Sequence, residues 1–264
     1  MVSSRIERKT QARQHRLAAE TQVHDRALRK RRLRQLVGAA LAAAAVVVVS
    51  VAVSTGSGRR VNAANGGRLV GAAFSRSVFA GIPQHGTVIG RAGAPIRLVE
   101  FADLQCPYCD EYAVGALPTL VNDYVRSGRL QMQFENLSFI GPDSVKAGRV
   151  AAATEQQNRL WNFVDLLYLN QGEENTGYVT PDYLRRLLAA VPGINLRAAL
   201  SASRAPAADQ ALTLANQTAS KDGVDATPTF LIGGTGGPLH VFQPPSLSAA
   251  PFRSEINRLL ETGR

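Results

Sequence analysis

The chain has 264 residues, a formal net charge of +10, two cysteines and 45% hydrophobic residues. This hydrophobic share excludes a wholly disordered chain, and two cysteines are too few to staple a scaffold of this length. A strongly basic balance is typical of proteins that contact nucleic acid or membranes, so the position of the charge along the chain decides its meaning.

Most of the positive charge lies at the N-terminus. Residues 1–35 hold 11 Lys and Arg against 3 Asp and Glu, whereas residues 36–264 hold 19 against 17. The uncharged, Ala- and Val-rich run 36–54 follows directly and would span about 28 Å as a helix, close to the thickness of a bilayer core. The positive-inside rule therefore predicts a basic cytoplasmic tail over 1–35, a transmembrane helix over 36–54 and an extracytoplasmic remainder.

Two other interpretations of this N-terminus stay open. The apolar run resembles the core of a cleaved signal peptide with Ala52-Val53-Ser54 as its cleavage site, although it exceeds the usual length of about 7–15 residues. A basic arm for nucleic acid is the other, but the adjoining apolar run favours a topology signal. We expect a single-pass cell-membrane protein with a cytoplasmic N-terminus and no nucleic-acid partner.

The exported part begins with a Gly-, Ser- and Ala-rich stretch at 55–84 that we interpret as a tether, with a short helix near Leu69–Phe79. A folded domain is predicted over 85–264. Thr87–Ile89 predicts a short edge strand, and the continuous apolar run Ile96–Phe101 is typical of a strand buried on both faces.

An amphipathic helix is predicted from Pro107 to about Tyr124, with a kink at Pro118, and Leu130–Leu137 predicts the next strand. The segment at about 143–222 has almost only helical patterns. Three of its predicted helices begin at residues of the N-capping type, namely Asp143 or Ser144, Thr180 and Asn195, and Pro206 can open a longer helix to Lys221. A hairpin and a last helix follow, namely Thr229–Ile232 with Leu239–Phe242 and a helix from about Pro251. This order predicts an α/β fold with an inserted helical domain.

Both cysteines lie in Cys106-Pro107-Tyr108-Cys109, between the buried strand and the helix. Unpaired N–H groups and the dipole at a helix N-terminus favour an anion, so we expect a Cys106 thiolate with a lowered pKa. Cys109 lies one turn further along the same face and can resolve a mixed disulfide formed by Cys106. Pro107 suits the first turn because it has no N–H to lose. The motif therefore predicts a redox-active dithiol.

Other uses of a Cys-x-x-Cys pair fit this sequence less well. A zinc site needs four ligands, and His85 and His240 do not complete a set. Haem attachment requires a histidine directly after the second cysteine, where this chain has Asp110. A purely structural disulfide between these cysteines would close a very short loop and constrain the chain little. We predict neither a metal nor a cofactor.

The block Glu100–Cys109 resembles the active-site block of exported DsbA-like thiol oxidoreductases, which have a thioredoxin fold. Thr227-Pro228-Thr229-Phe230 is similar to the loop that carries their cis-proline. Two further stretches, Gly81–Gly86 and Ala94-Pro95, are similar to membrane-anchored bacterial members. The resemblance covers roughly residues 81–264 and implies a thioredoxin fold with an inserted helical domain.

The resemblance also implies a cis peptide between Thr227 and Pro228, opposite Cys106. The Thr227 backbone would there pair with a bound peptide as an added strand. On the residues alone, an ordinary trans proline at the start of a strand stays open. Together with Pro107 and Tyr108, this loop is our prediction for the substrate-binding residues.

Glu100 is the third candidate catalytic residue, after Cys106 and Cys109. Period-two alternation places it on the strand face of Ile96 and Leu98, beneath the dithiol. A buried carboxylate there has a raised pKa and can exchange a proton with Cys109. The family places an acid at this spacing, but a purely structural glutamate remains the alternative.

These features favour a dithiol oxidase that introduces disulfides into unfolded secreted proteins. The resemblance implies a quinone-linked membrane partner of the DsbB or VKOR type that reoxidises it. Two alternatives stay open. A reductase or isomerase is one, because Tyr108 departs from the Pro-His pair of the best-known oxidases and Thr227 also occurs in isomerases. A peptide-binding chaperone with an incidental dithiol is the other.

Overall fold

The computed structural model describes residues 67–262. The predicted tail, transmembrane helix and first part of the tether, residues 1–66, lie outside the described residues. Within the described range, no helix is long and apolar enough to cross a bilayer.

One six-stranded mixed sheet organises the described part of the chain. Its strands are β1 (Gln84–His85), β2 (Val88–Ile89), β3 (Ile96–Ala102), β4 (Leu130–Asn136), β5 (Thr229–Gly234) and β6 (His240–Phe242). The order across the sheet is β1-β2-β4-β3-β5-β6. β3 runs parallel to β4 and antiparallel to β5, and the other neighbours are antiparallel.

The central position of β3 explains its apolar sequence. All its residues except Arg97 are buried, which confirms the predicted burial on both faces. The strand predicted at Thr87–Ile89 is present as β2, but its predicted position at the edge of the sheet is wrong. The turn at Gly86 and Thr87 folds β1 back onto β2, so that β1 occupies the edge.

Nine α-helices pack around this sheet within residues 67–262. They are α1 (Ala72–Phe79), α2 (Pro107–Gly115), α3 (Leu117–Leu120), α4 (Pro142–Glu155), α5 (Leu160–Tyr168), α6 (Pro181–Ala190), α7 (Leu196–Ala202), α8 (Pro206–Lys221) and α9 (Ala249–Thr262). The predicted helix from Pro107 to Tyr124 is divided into α2, α3 and a π-helical turn at Val121–Val125. The first division, at Ala116, lies two residues before Pro118, which has no N–H for the helical ladder.

Helix α1 lies inside the stretch interpreted as a tether, where a short helix was expected. It packs against α5, and Phe79 at its end is 3% exposed and belongs to the main core. The Arg126 guanidinium donates hydrogen bonds to the carbonyls of Ser77, Val78 and Ala80 at the end of α1. This part of the predicted tether is therefore packed onto the domain.

The predicted helical insert corresponds to α4–α8, between β4 and β5. The Thr180 hydroxyl caps α6 by accepting from the Tyr183 N–H, as predicted. The predicted cap at Asp143 or Ser144 is wrong. Pro142 takes the first helical position of α4 after Gly141, and both polar side chains bond elsewhere.

The sheet is covered on both faces, and the two sets of β3 side chains alternate between them. Leu98 and Ala102 face the main core, built with α2, α5 and α9. Val99 and Phe101 face a smaller core closed by Ala215 and other residues of α8. Glu100 shares the face of Leu98, which places its carboxyl in the main core under the start of α2.

Candidate active site

The dithiol lies where β3 ends and α2 begins. Cys106 is the N-cap residue of α2, and Pro107 occupies its first turn. The Cys106 carbonyl accepts the Asp110 N–H at 3.2 Å, which starts the helical ladder. Both cysteines are free thiols, and the exposed fractions are 4% for Cys106 and 0% for Cys109.

The two thiols differ in acidity because their surroundings differ. The hydrogen bond from the Cys109 thiol lowers the pKa of Cys106 to about 6, with help from the backbone N–H groups of Cys109 and Tyr108. Burial raises the pKa of Cys109 well above its usual value, and donation to Cys106 raises it further. Of the two thiols, Cys106 therefore ionises more readily and is the better leaving group, whereas Cys109 keeps its proton.

The second predicted block lies against the first. The peptide bond between Thr227 and Pro228 is cis, as the resemblance implied. Cys106 Sγ lies 3.4 Å from the Thr227 carbonyl oxygen, although the two residues are 121 positions apart. The fold therefore brings Pro107, Tyr108, Thr227 and Pro228 around one reactive sulfur.

Glu100 lies beneath the dithiol and is 2% exposed. Burial, followed by the charge on Cys106, raises the pKa of its carboxyl from 4.5 to about 8. The Glu100 charge in turn raises the pKa of Cys109. The carboxyl of Glu100 and the thiol of Cys109 thus influence each other's protonation within one buried site.

A buried polar network that the sequence analysis missed holds the segment before Cys106. The Asp103 carboxylate is 0% exposed and accepts four hydrogen bonds. They come from the N–H groups of Gln105, Phe139 and Ile140 and from the Ser144 hydroxyl. The bond to the Gln105 N–H is an Asx turn, and this local pattern was the signal available in the sequence.

Gln171 completes this support from the helical insert. Its side-chain amide donates to the carbonyls of Leu104 at 3.1 Å and Cys106 at 3.2 Å. The Tyr168 hydroxyl donates to the Asp103 carbonyl at 3.1 Å. No local sequence pattern points to Gln171, because it meets these carbonyls only through tertiary packing.

The surface around Cys106 presents aromatic side chains to solvent. Tyr108 is 63% exposed and Phe139 is 54% exposed. Phe139 is close to the active-site segment because its N–H donates to the Asp103 carboxylate. Within residues 67–262, no cluster of three or more His, Cys, Asp or Glu side chains is arranged to hold a metal ion. The exposed rings of Tyr108 and Phe139 give the surface near the Cys106 thiol an apolar area for contact with a chain segment.

Comparison with known proteins agrees with this geometry. A family model described as thioredoxin matches residues 84–237. A Bacillus cereus protein named probable disulfide bond formation protein D is 36% identical over 98 residues, which are 36% of this chain and 45% of that protein. The chain thus spans less than half the length of this curated relative.

Two crystal structures show the same fold. Oxidised BdbD from Bacillus subtilis has a TM-score of 0.59 and 21% identity, covering 68% of this chain and 97% of that chain. The α-DsbA1 protein of Wolbachia pipientis has a TM-score of 0.56 and 19% identity, covering 67% of this chain and 92% of that chain. Since the family model spans more than half of the sequence, the chain belongs to the thioredoxin family, and its fold is DsbA-like.

Proposed function

We propose that this protein is an exported, membrane-anchored thiol:disulfide oxidoreductase that oxidises dithiols in unfolded secreted proteins. The observation that carries the proposal is the asymmetric dithiol facing the cis-proline loop. Cys106 has a depressed pKa, Cys109 keeps its proton, and the Thr227 carbonyl lies 3.4 Å from the reactive sulfur. The name of the Bacillus cereus relative supports the same direction of chemistry.

The oxidation begins from the Cys106–Cys109 disulfide. A substrate thiolate attacks Cys106 Sγ, the S–S bond breaks, and Cys109 leaves as a thiolate. Glu100, which is mostly protonated at pH 7 because its pKa is about 8, donates its proton to that thiolate. A second substrate thiolate then attacks the substrate sulfur of the mixed disulfide, and Cys106 leaves as a thiolate. The substrate is oxidised by two electrons, which remain in the Cys106–Cys109 dithiol.

The acidity of Cys106 supports the oxidase direction. A thiol with a pKa of about 6 is mostly ionised at pH 7 and is a good leaving group. Stabilising the thiolate stabilises the reduced protein, which makes the disulfide a stronger oxidant.

Substrate binds to the surface around Cys106. The Thr227 backbone can pair with an extended peptide, and main-chain pairing does not depend on side-chain sequence. The exposed Tyr108 ring and Pro107 add apolar contact beside the reactive sulfur. Both properties suit unfolded chains of many sequences.

Returning the dithiol to a disulfide requires an electron acceptor. A quinone-linked membrane partner of the DsbB or VKOR type fits, because a membrane anchor over 36–54 would keep the domain beside it. The Cys106 thiolate attacks the partner's disulfide, and Cys109 gives its proton to Glu100 and attacks Cys106 Sγ. The reduced partner leaves with two electrons.

The reduction potential of the purified protein tests the direction of the reaction. A potential close to the roughly −120 mV of strong oxidants is expected, and one near the roughly −270 mV of thioredoxin would favour the reductase alternative. Replacing Cys106 by alanine should abolish oxidation of a reduced, unfolded secreted protein. If that variant kept full activity, the dithiol would be incidental, as in the chaperone alternative.

Topology needs a separate measurement. A reporter active only outside the cytoplasm, fused after Arg60, is expected to be active in cells. A silent reporter would contradict the predicted orientation, whatever the activity of the purified domain.

A further inference from the structure

Two buried polar atoms beneath the dithiol have no hydrogen-bond partner within residues 67–262. They are Oε1 of Glu100 and the hydroxyl oxygen of Tyr112. Both side chains are almost fully enclosed, with Glu100 at 2% exposure and Tyr112 at 0%. Buried polar groups are normally paired with protein or with ordered water, so this coincidence requires an explanation.

The two side chains both neighbour Phe230 in the main core. In the β3–β5 register Glu100 is the cross-strand partner of Phe230, whose ring centroid lies 4.7 Å from that of Tyr112. Phe252 packs on Tyr112 with a centroid distance of 5.1 Å. Burial and then the charge of Glu100 raise the pKa of the Tyr112 phenol.

A carboxylate and a phenol that share a buried space without a direct hydrogen bond are suited to one bridging water. We propose that Tyr112 donates its phenolic hydrogen through one such water to the Glu100 carboxylate. Tyr112 is then a positioning residue that sets the pH at which Glu100 accepts the proton of Cys109. The inference deepens the function proposed above and rests on it.

The direction of the effect follows from the donor role of the phenol. A hydrogen bond to the ionised carboxylate favours the charged form, so Tyr112 lowers the pH at which Glu100 becomes a base. The other titratable groups facing Glu100 are Cys106, Cys109 and Tyr168. The Tyr168 hydroxyl is already committed to the Asp103 carbonyl.

The side chains next to Glu100 on the neighbouring strands cannot donate a hydrogen bond to its carboxyl. Its register partners on β4 and β5 are Phe134 and Phe230, and neither side chain carries a donor. Tyr112 is therefore the phenol that is both adjacent to Glu100 and still unpaired within the described residues.

A two-step reaction with an aromatic disulfide isolates the step that Glu100 serves. The reduced protein is mixed with the disulfide of 5-thio-2-nitrobenzoate, and release of the coloured thiolate is followed by stopped flow. In the first phase the Cys106 thiolate attacks the probe and releases one coloured thiolate. In the second, Cys109 gives its proton to Glu100 and attacks Cys106 Sγ, which releases another.

The test compares the pH profiles of the two phases in Tyr112→Phe and in the full-length wild-type protein. The midpoint of the second phase should rise by about one pH unit, because the ionised carboxylate loses a donor, while the first phase stays unchanged. Phe keeps the ring that packs on Phe230 and Phe252. The matched control is Tyr124→Phe, whose hydroxyl bonds to Asn257 away from the dithiol and should move neither phase.

The variant Glu100→Gln tests whether Tyr112→Phe shifts the second phase through the Glu100 carboxyl. In that background Tyr112→Phe should have no further effect on the second phase, since the group it acts on is gone. An unmoved second-phase midpoint in Tyr112→Phe, or equal shifts of both phases, overturns the inference. Absence of the first phase in the wild-type protein would instead contradict the proposed function, so the two failures are distinguishable.

Discussion

Replacing Glu100 by glutamine should stabilise the reduced protein at neutral pH. The carboxyl is buried with a pKa of about 8, whereas in the unfolded chain its pKa is 4.5. Between these two values the folded state keeps a proton that the unfolded state releases, so ionisation favours unfolding. Glutamine has nearly the same shape and does not ionise, so the variant avoids this cost.

The size of the effect follows from the two pKa values. Below pH 4.5 the carboxyl is protonated in both states and contributes no difference. As pH rises from 4.5 towards 8, the wild-type protein progressively loses stability relative to the variant. At pH 7 the gap corresponds to about 2.5 pKa units, or about 3 kcal/mol of unfolding free energy. For a domain of this size that is about 6–12 °C in the unfolding temperature.

Urea unfolding of the reduced proteins at several pH values between 4 and 8 measures this difference. The pH-dependent part is the readout, because any packing cost of the glutamine amide is the same at every pH. Glu111→Gln, which changes an exposed carboxyl on the same helix as Cys109, is the matched control and should give a flat difference. A flat difference for Glu100→Gln would refute the assignment of a buried, raised-pKa carboxyl beneath the dithiol.

Four further predictions concern Cys106, the Asp103 network and the cap of α6. As pH rises, the ultraviolet absorbance of the Cys106 thiolate should appear with a midpoint near pH 6. It should be absent in Cys106→Ser. A midpoint near pH 9 would contradict the lowered pKa. Since this pKa is depressed, the reduced form should gain stability over the oxidised form as pH rises from about 6 to 9. Asp103→Ala should lower the free energy of unfolding, measured in urea, by about 3 kcal/mol, because four donors lose their buried acceptor. A loss under about 1 kcal/mol would show that the network is dispensable. Thr180→Ala should lower the free energy of unfolding by about 1 kcal/mol, because the Tyr183 N–H loses its cap. Thr213→Ala, at an exposed position of α8, should cost far less, and equal losses would argue against capping.

Local features of the fold were predictable because they depend on neighbouring residues. The Thr180 and Asn195 caps, the buried run of β3 and the helix start at Pro107 each follow from residue types within a few positions. The cap of α4 was mispredicted for the same reason. Asp143 has the right residue type, but its carboxylate pairs with Lys146 and accepts the Val179 N–H.

The sequence by itself determined that a dithiol lies at a strand-to-helix junction, where Cys109 lies one turn from Cys106. From there its thiol donates the hydrogen bond that lowers the pKa of Cys106 most. It also determined the alternation that turns Glu100 towards the main core. These features follow from residue type and spacing within a few positions of the chain.

Tertiary structure alone decided what surrounds that dithiol. The Thr227 carbonyl reaches Cys106 across 121 positions, and Gln171 reaches the same segment across 65. Phe230 of β5 and Phe252 of α9 pack on the Tyr112 ring, and Phe230 is also the cross-strand partner of Glu100. Such contacts depend on how strands pair and helices pack over long separations, and the sequence around either residue does not encode the partner it meets.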